Sequence, residues 1–490
     1  MSSGLGQSAA QRVCVIGAGV SGLAVAKVFA HAGHQVTVFE RQCSPGGVWA
    51  PARIYPGLTT QTPGDQYAFS DFPMPAHYLD WPSAAQVMDY LRAYVDRFEI
   101  ASLIRYRSTV INISRPRGAT SAWSVTITNP AGRRATHLFD FIVVCNGTFN
   151  IPNYPCFAGV ELFRAGGGVV LHSSEFTDPK LIQDKRIIVI GYGKSATDIA
   201  CFAAGPARSV HLIFRRPIWP VPRFLGGRIH VRHVCTSRLW ESLMPAPTFP
   251  ERSHPANVLK NQLPAVCWRA MEILLSHQFD LDRCGLRPSH KFRDQVTSGF
   301  LVSPDELFTM IKDGRISPVN ETVEHFTPRG VVLSDGRQLE ADVVVLGTGY
   351  RQEIPFLESD IRSRVIDDQG RYRLYRYLLN PDVPDLGFVG YNSSLFTPIT
   401  SELGARWLAA HLTGRLALPA TDQMHRAIDS ELKIGKAVRP LARRFTGVNV
   451  APYTYRYLDT LRKDLNESSQ PKGLRRVYNF VKPFTPADFA

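Results

Sequence analysis

Short apolar runs alternate with longer stretches of helical periodicity along this chain. Each run is four to seven mostly apolar residues long and leads into a turn, a pattern typical of strands buried in a parallel sheet. The clearest runs are Val13–Ile16, Phe139–Cys145, Ile187–Ile190 and Ala341–Leu346. An amphipathic helix is predicted over residues 83–99, starting at Ser83, and another helix over 401–413. Asp335-Gly336 predicts a hairpin turn.

Two of these runs lead directly into the same glycine pattern, G-x-G-x-x-G/A. In this fingerprint the first glycine allows a tight strand-to-helix turn, and the second lets the backbone approach a pyrophosphate. The third small residue allows close packing of the helix on the strand, and the helix N-terminus then faces the phosphates. The predicted dinucleotide-binding residues are Gly17, Gly19 and Gly22 in the first copy, and Gly191 and Gly193 in the second, which ends in Ala196.

The charged residue that follows each copy differs in sign. Glu40 lies 23 residues beyond Gly17, after Gln35–Phe39, where a carboxylate binds ribose hydroxyls and disfavours a 2′-phosphate. Arg215 lies 24 residues beyond Gly191, and its guanidinium suits a 2′-phosphate. The first site is therefore predicted to bind FAD or NAD and the second NADPH. The alternative is a pair of accidental glycine turns followed by surface charges.

The order of these elements predicts an α/β protein with two doubly wound, Rossmann-like domains, the NADPH domain being inserted into the FAD domain. Residues 1–11 form a flexible lead, and 12–178 form the first part of the FAD domain. Residues 179–340 form the NADPH domain, with an insertion near 225–310 that carries no clear motif and is expected to shape the substrate pocket. Residues 341–490 form the second part of the FAD domain and a tail. The strand before Gly347 is expected to return the chain to the FAD sheet.

Composition narrows the class of protein further. The chain has 490 residues, of which 44% are hydrophobic, and a net charge of +14. Its basic residues are dispersed and form no nucleic-acid module, so nucleic acid is not a predicted partner. No membrane-spanning run, secretion signal or C-x-x-C pair occurs, which favours a reducing, cytoplasmic location. Residues 473–482 mix basic and apolar side chains. They predict either a membrane-surface helix or, preferably, a docked C-terminal segment.

An ordered set of motifs resembles the flavin-containing monooxygenases from about residue 12 to residue 460. The set comprises the two fingerprints, Gly46-Gly47-Val48-Trp49, Ser70-Asp71-Phe72-Pro73, His172-Ser173-Ser174-Glu175-Phe176 and Gly347-Thr348-Gly349-Tyr350. The second fingerprint and the segment after Phe214 look most like the fungal and plant branch. The resemblance implies FAD and NADPH as cofactors. It adds as candidate cofactor-binding residues Arg41, Gly47, Trp49, Thr60, Lys194, Ser195, Arg216, Thr348 and Gly349. Lys194 and Ser195 have the alternative of being ordinary helix-start residues.

Two positions depart from the family pattern. The family identifier has Phe where this chain has Gly166, although Gly168, His172 and Phe176 match. The family also has Asn where this chain has Gln61, and there the amide helps to hold the oxygenated intermediate. Gln61 is therefore the candidate catalytic residue, with inert packing as the alternative. Without the family resemblance, His172 would be interpreted as a histidine in a linker that caps a turn.

The resemblance implies a monooxygenase that takes hydride from NADPH, forms a flavin hydroperoxide with O2 and transfers one oxygen atom. The implied substrate is a small organic molecule with a nucleophilic nitrogen or sulfur, and the expected context is secondary metabolism. A Baeyer–Villiger monooxygenase acting on a ketone is the first alternative, and a flavoprotein that binds without turnover is the second. A disulfide reductase is disfavoured because no redox cysteine pair occurs. No metal site is predicted, since the spacing of His230, His233 and Cys235 matches no zinc pattern. The oligomeric state is not readable from the sequence.

Overall fold

The computed structural model describes residues 10–116, 122–244, 256–299, 302–438, 441, 448–449, 453–467 and 473–490. Within these ranges the helices are α1 (Val20–His31), α2 (Ala84–Arg97), α3 (Val160–Ala165), α4 (Lys194–Ala203), α5 (Arg232–Cys235), α6 (Arg238–Leu243), α7 (Ala256–Phe279), α8 (Phe292–Val296), α9 (Glu306–Lys312), α10 (Ser359–Val365), α11 (Thr397–Leu412), α12 (Thr421–Val438), α13 (Thr454–Asp464) and α14 (Leu474–Val481). The predicted lead, residues 1–11, lies outside the described residues except for its last two positions.

The strands of the same ranges are β1 (Arg12–Ile16), β2 (Gln35–Phe39), β3 (Ile104–Arg105), β4 (Thr109–Ser114), β5 (Trp123–Thr128), β6 (Arg134–Phe139), β7 (Phe141–Val144), β8 (Ile151–Pro152), β9 (Val169–His172), β10 (Arg186–Ile190), β11 (Ser209–Ile213), β12 (Phe224–Leu225), β13 (Ile229–His230), β14 (Ser317–Val319), β15 (Val323–Thr327), β16 (Gly330–Leu333), β17 (Gln338–Glu340), β18 (Val343–Leu346), β19 (Tyr350–Arg351), β20 (Leu379–Asn380), β21 (Val383–Phe388), β22 (Asn392–Ser393) and β23 (Val448–Asn449).

The first large sheet has the strand order β20-β21-β7-β1-β2-β3 and is parallel except at the β20 edge. The chain runs from β1 outward to β3 and then returns to the other side of β1 at β7. The strand order therefore reverses between β1 and β7. A crevice opens at the carboxyl ends of strands where their order reverses in this way, and ligands bind there in doubly wound sheets.

The second large sheet repeats this arrangement in the order β14-β11-β10-β18-β9, with every pair parallel. Here the order reverses between β10 and β18. The predicted α/β class with two Rossmann-like sheets is confirmed. The second sheet is formed after β7, and the chain rejoins the first sheet at β20 and β21.

One strand assignment from the sequence is wrong. Strand β18 pairs with β10 and β9, so the run before Gly347 lies in the second sheet and not in the first. The predicted boundaries at 178/179 and 340/341 thus separate strands that pair with each other. The two connecting segments, β8 and β19, pair antiparallel with each other and mark the crossing points between the sheets. A buried apolar run looks the same in either sheet, because periodicity does not encode the partner strand.

The predicted helices are found with small shifts at their ends. Ser83 caps α2 in a full capping box with Gln86. Helix α11 begins at Thr397, one turn before the predicted start, with Pro398 in its first turn. The hairpin predicted at Asp335-Gly336 joins β16 to β17. Helices α1 and α11 are mostly buried and pack against each other in the core beside the first large sheet.

The C-terminal segment buries its last residues, whereas its helix α14 lies against α6 at the surface. Phe484 and Phe489 are buried, and the ring of Phe484 stacks on Phe396 with centroids 3.9 Å apart. Helix α14 has no buried residue and exposes Leu474 and Val477. In the part of the chain that is described, no helix has the length and apolar character needed to cross a bilayer.

Candidate active site

One cavity of about 880 Å³ runs past the carboxyl ends of both large sheets. This volume lies near the top of the range of ~300–1,000 Å³ typical of small-molecule sites. Both glycine turns open into it. Of the residues predicted from the sequence, the cavity is lined by Gly17, Gly19, Glu40, Arg41, Gly47, Trp49, Thr60, Gln61, Gly193, Lys194, Ser195, Arg216 and Gly349.

The glycines of the first turn are required by close backbone contacts. Gly17 has φ +104°, and a Cβ there would lie 2.7 Å from the Cys145 oxygen. A Cβ on Gly22 would lie 1.8 Å from the Gly17 oxygen, so α1 can approach β1 only without a side chain. Gly19 is the N-cap of α1 and borders the cavity. The free N–H groups of a helix start are thereby placed where an anion would bind.

Glu40 is held rigidly at the end of β2. It is buried, and its two carboxylate oxygens accept hydrogen bonds from Ala18 N (2.7 Å) and Gln42 N (2.8 Å). A carboxylate oxygen has two lone pairs, so each retains capacity to accept a ribose hydroxyl. The carboxylate is thus fixed at the cavity wall beside the first turn, as its predicted role requires.

The Gly46-Gly47-Val48-Trp49 segment closes over the first turn. Gly47 has φ +61°, and a Cβ there would lie 3.1 Å from the Gly19 Cα. Trp49 Nε1 donates to the Tyr67 hydroxyl at 2.9 Å, which fixes the indole ring. Backbone from this segment therefore contacts the glycine turn directly, and only glycine fits at the contact.

The second turn has a more open geometry. A Cβ on Gly191 would lie 2.2 Å from the Gly347 oxygen, which links the second turn to the end of β18. Gly193, the N-cap of α4, would have nothing within 4 Å of a Cβ. The space beside Gly193 therefore belongs to the cavity, at the N-terminus of a helix, where phosphate groups bind.

Lys194 is tied to the base of the cavity by a buried ion pair. Its Nζ donates to both carboxylate oxygens of Asp198, at 2.6 and 2.5 Å. The Tyr55 hydroxyl donates to the same carboxylate at 3.1 Å. Burial raises the pKa of Asp198, and the neighbouring ammonium opposes that rise. Lys194 thus borders the cavity with its charge already partnered, whereas Ser195 lines the cavity beside it.

The two adjacent arginines after β11 are placed differently. Arg216 lines the cavity, while Arg215, the position matched by sequence spacing, does not. The two residues lie in a bend of the chain just beyond β11. Arg216 is thus the better placed of the two predicted arginines, and its contact with a 2′-phosphate stays a prediction.

The remaining predicted residues support the site from outside the cavity. Gly22 and Gly191 act through the packing contacts described above. The Thr348 hydroxyl donates to Asn153 O at 2.6 Å, and Asn153 Nδ2 donates to Thr348 O at 3.3 Å. Thr348 thereby ties together the two segments that cross between the sheets.

His172 has a similar supporting role. Its Nδ1 accepts from Ser174 N at 3.2 Å, so in the neutral ring Nε2 carries the proton and donates to Gly349 O at 2.9 Å. The side chain is fully buried, and burial lowers the pKa of the imidazole below its usual value. His172 therefore joins the end of β9 to the Gly347–Gly349 turn as a neutral ring.

This geometry predicts a pH-dependent stability difference. The variant His172→Asn keeps an acceptor for Ser174 N but loses the bond to Gly349 O. Its free energy of unfolding at pH 8 should therefore be about 1 kcal/mol lower than that of the native protein. The folded pKa of His172 lies below the unfolded value of about 6.5, so the unfolded state binds more protons as the pH falls below 6.5. The stabilisation by His172 is thus lost on acidification, and the gap between native protein and variant should narrow.

Urea unfolding of both FAD-loaded proteins between about pH 8 and pH 5.5 measures this gap. Other titrating groups are common to the two proteins and cancel in the difference. A gap that widens on acidification would show that His172 is charged in the folded state.

Gln61 lies in the cavity wall with one half of its amide engaged. Its Oε1 accepts from Val302 N at 3.3 Å, so the amide nitrogen is the donor left for a ligand. The neighbouring Thr60 hydroxyl donates to Thr62 O at 2.7 Å, which makes this residue a support of the turn. The structure thus places the candidate amide in the same cavity as both glycine turns.

Sequence reasoning missed the cavity residues that carry no motif. Arg53 and Tyr55 come from the segment before Thr60, and a second group comes from the chain beyond β11. The second group comprises Ile218, His290, Gln295, Val296, Ser298, Gly299 and Leu441. The sequence predicted only that the motif-poor region 225–310 shapes the pocket, and it identified no residue there.

The charge of the cavity wall fits phosphate-bearing ligands. Four cationic side chains, Arg41, Arg53, Lys194 and Arg216, line the cavity, against one carboxylate, Glu40. No group of three or more His, Cys, Asp or Glu residues in the described ranges is arranged to hold a metal ion. The built features are thus two helix starts, a fixed carboxylate and a cationic wall, which suit two dinucleotides.

Comparison with known proteins gives consistent results. A family model described as flavin-binding monooxygenase-like matches residues 10–461. Flavin-containing monooxygenase 5 of Rattus norvegicus is 30% identical over 92% of this chain and 82% of its own length. The probable flavin-containing monooxygenase 1 of Arabidopsis thaliana is 29% identical over 95% of this chain and 93% of its own length.

Solved structures share the fold at lower identity. The S-allyl-L-cysteine S-oxygenase of Allium sativum superposes with a TM-score of 0.64 and 22% identity, covering 96% of this chain and 92% of that one. An open structure of cyclohexanone monooxygenase gives a TM-score of 0.69 and 18% identity, covering 93% and 98%. At these identities the structures establish the common architecture.

Proposed function

Because this chain belongs to the flavin-binding monooxygenase-like family, we propose that this NADPH-dependent flavin monooxygenase transfers one oxygen atom of O2 to a nucleophilic nitrogen or sulfur of a small organic molecule. The cavity shared by the two glycine turns carries the proposal. Both glycine turns and Gln61 line it, which supports a site where two dinucleotides and a small substrate meet.

The residues present fit FAD and NADPH. The Gly17–Gly22 turn, Glu40 and the Gly47–Trp49 segment would hold FAD, since a fixed carboxylate accepts ribose hydroxyls and the bare turn admits a pyrophosphate. Gly193, Ser195 and Arg216 would hold NADPH. When bound, NADPH supplies the electrons and FAD the activation of O2.

The protein itself positions the two cofactors and the substrate, supplies polar groups around them and excludes water from the cavity. The Lys194–Asp198 ion pair, reinforced by the Tyr55 hydroxyl, fixes the start of α4 against the segment before Thr60. Apolar side chains of Leu58, Val296 and Phe356 line the same cavity. A cavity with such walls holds less water, which suppresses side reactions and strengthens the polar contacts inside.

Gln61 supplies a side-chain amide in the cavity wall whose nitrogen is free to donate. Replacing it by leucine removes this donor at similar size, and one neutral hydrogen bond is worth about 1 kcal/mol. We expect Gln61→Leu to form roughly fivefold less product per NADPH consumed, with the FAD content unchanged. Gln61→Asn keeps an amide and should retain most of the native yield.

Paired assays of NADPH consumption and product formation measure this ratio. The control for folding is the FAD content of each purified variant. If Gln61→Leu couples NADPH consumption to product as well as the native enzyme does, Gln61 is only a packing residue.

The class of oxygen transfer is tested with two probes. Methyl phenyl sulfide reports transfer to sulfur, and cyclohexanone reports insertion beside a carbonyl. The proposal expects NADPH-dependent sulfoxide and no lactone. Lactone as the dominant product would instead identify a Baeyer–Villiger enzyme, and NADPH consumption without either product would favour a flavoprotein without productive turnover.

A further inference from the structure

The segment before α8 presents a histidine whose ring orientation and proton position are fixed by buried neighbours. Gln295 is buried, and its amide pairs with both polar backbone atoms of Trp219. Its Oε1 accepts from Trp219 N at 2.6 Å, and its Nε2 donates to Trp219 O at 2.8 Å. Because a backbone N–H can only donate and a carbonyl can only accept, this pairing fixes which end of the amide is oxygen.

That oxygen also contacts His290. His290 Nε2 lies 2.9 Å from Gln295 Oε1, and since the oxygen only accepts, Nε2 must carry a proton. The other side of the residue is held as well, because Trp219 Nε1 donates to His290 O at 2.7 Å. In the neutral ring the second nitrogen, Nδ1, is therefore an acceptor with a lone pair.

Nδ1 is the polar atom that this ring can offer to the cavity. His290 is partly exposed and lines the cavity, and none of the described residues bonds to its Nδ1. The neighbouring cavity residues Ile218, Val296 and Leu441 are apolar. These side chains stand beside Gln295 and Ser298, whose polar atoms already have protein partners, so Nδ1 is an oriented acceptor left open at this part of the wall.

From this arrangement we infer that His290 Nδ1 is a substrate-recognition atom that accepts a hydrogen bond from a hydroxyl or neutral N–H of the substrate. A site built to pair with a polar hydrogen rejects the analogue without one, because the acceptor is then buried unpaired. This inference rests on the proposed function, since it names the class of molecule that the oxygenation site accepts.

The test uses two probes that differ at one group, 4-(methylsulfanyl)benzyl alcohol and its methyl ether. Each is titrated into the FAD-loaded enzyme with NADP+ at about pH 8.5, where free imidazole is neutral, and the change in the flavin spectrum gives the dissociation constant. The native enzyme should bind the alcohol about tenfold more tightly than the ether, as expected for one hydrogen bond in a largely dry pocket.

Two isosteric variants separate the ring nitrogens. His290→Gln places an amide near Nε2 and removes the acceptor at Nδ1, so the preference for the alcohol should fall to about one. His290→Asn places an amide near Nδ1 and should retain part of the preference. His77→Gln, at an exposed histidine outside the cavity, is the matched control and should keep the native ratio.

Equal dissociation constants for alcohol and ether in the native enzyme, or no saturable binding of either probe, would overturn the assignment. So would an undiminished preference in His290→Gln. Sulfoxide formation is measured separately on both probes. If the enzyme binds the alcohol more tightly than the ether but forms no sulfoxide, the proposed oxygenation is wrong and the role of His290 is supported. If it forms sulfoxide from both probes and binds them with equal affinity, the oxygenation is supported and the role of His290 is wrong.

Discussion

Replacing Gly22 with alanine is expected to yield a protein without bound FAD and with a markedly lower melting temperature. The new Cβ would lie 1.8 Å from the Gly17 oxygen and 2.9 Å from the Gly17 carbonyl carbon. Neither atom can move aside easily, because Gly17 N donates to Phe39 O at 2.8 Å and the turn also abuts Cys145. Helix α1 would have to move away from the turn, at a cost of about 3 kcal/mol or more.

The displaced helix also withdraws Gly19 from its contact with Gly47, so the site loses its shape as well as its stability. The FAD content per protein is measured from the visible absorbance of the purified variant, and thermal unfolding is followed alongside. Gly205→Ala is the matched control, because the nearest atom to a Cβ there is 3.9 Å away and φ is not positive. A Gly22→Ala protein that retains stoichiometric FAD and native stability would contradict the packing derived for the first turn.

The second large effect is expected at Arg216. Removing a guanidinium that pairs with a phosphate costs about 2 kcal/mol, so Arg216→Ala should raise the KM for NADPH roughly 30-fold. The KM for NADH should change little, since NADH has no 2′-phosphate, and the preference for NADPH should fall by a similar factor. Arg215→Ala is the paired control and should shift the KM for NADPH less than threefold.

Steady-state NADPH and NADH oxidation by the two variants decides between the neighbours. If Arg215→Ala has the larger effect, Arg215 contacts the 2′-phosphate, and the chain beyond β11 must rearrange when NADPH binds. Equal small effects at both positions would mean that neither arginine contacts the 2′-phosphate.

Local chemistry was predictable from the sequence where one short segment carries the whole signal. The two glycine turns, Glu40 and the capping box at Ser83 depend on residues close together in the chain, and each lies where its pattern predicts. The same holds for the doubly wound class, because buried runs that alternate with helices strongly restrict the architecture. Placement of the chain in a fungal and plant branch stays a prediction.

The features that the sequence did not specify depend on tertiary structure. The run before Gly347 was assigned to the wrong sheet because an apolar run does not identify its partner strand. Arg215 and Arg216 were both candidates, and which of them borders the cavity depends on the bend beyond β11. His290 and Gln295 line one cavity with Ile218 and Leu441 only after folding, so no spacing rule connects them. The region 225–310 was therefore predictable as part of the pocket wall, but its individual residues were not.

The central claim is that one cavity couples NADPH oxidation to transfer of a single oxygen atom. The most direct measurement is turnover of methyl phenyl sulfide with NADPH under ¹⁸O2, with NADPH consumption and the isotope content of the product determined together. The account predicts one labelled oxygen atom in each sulfoxide molecule and close to one NADPH consumed per product. NADPH consumption that yields only hydrogen peroxide, or sulfoxide whose oxygen comes from water, would contradict it.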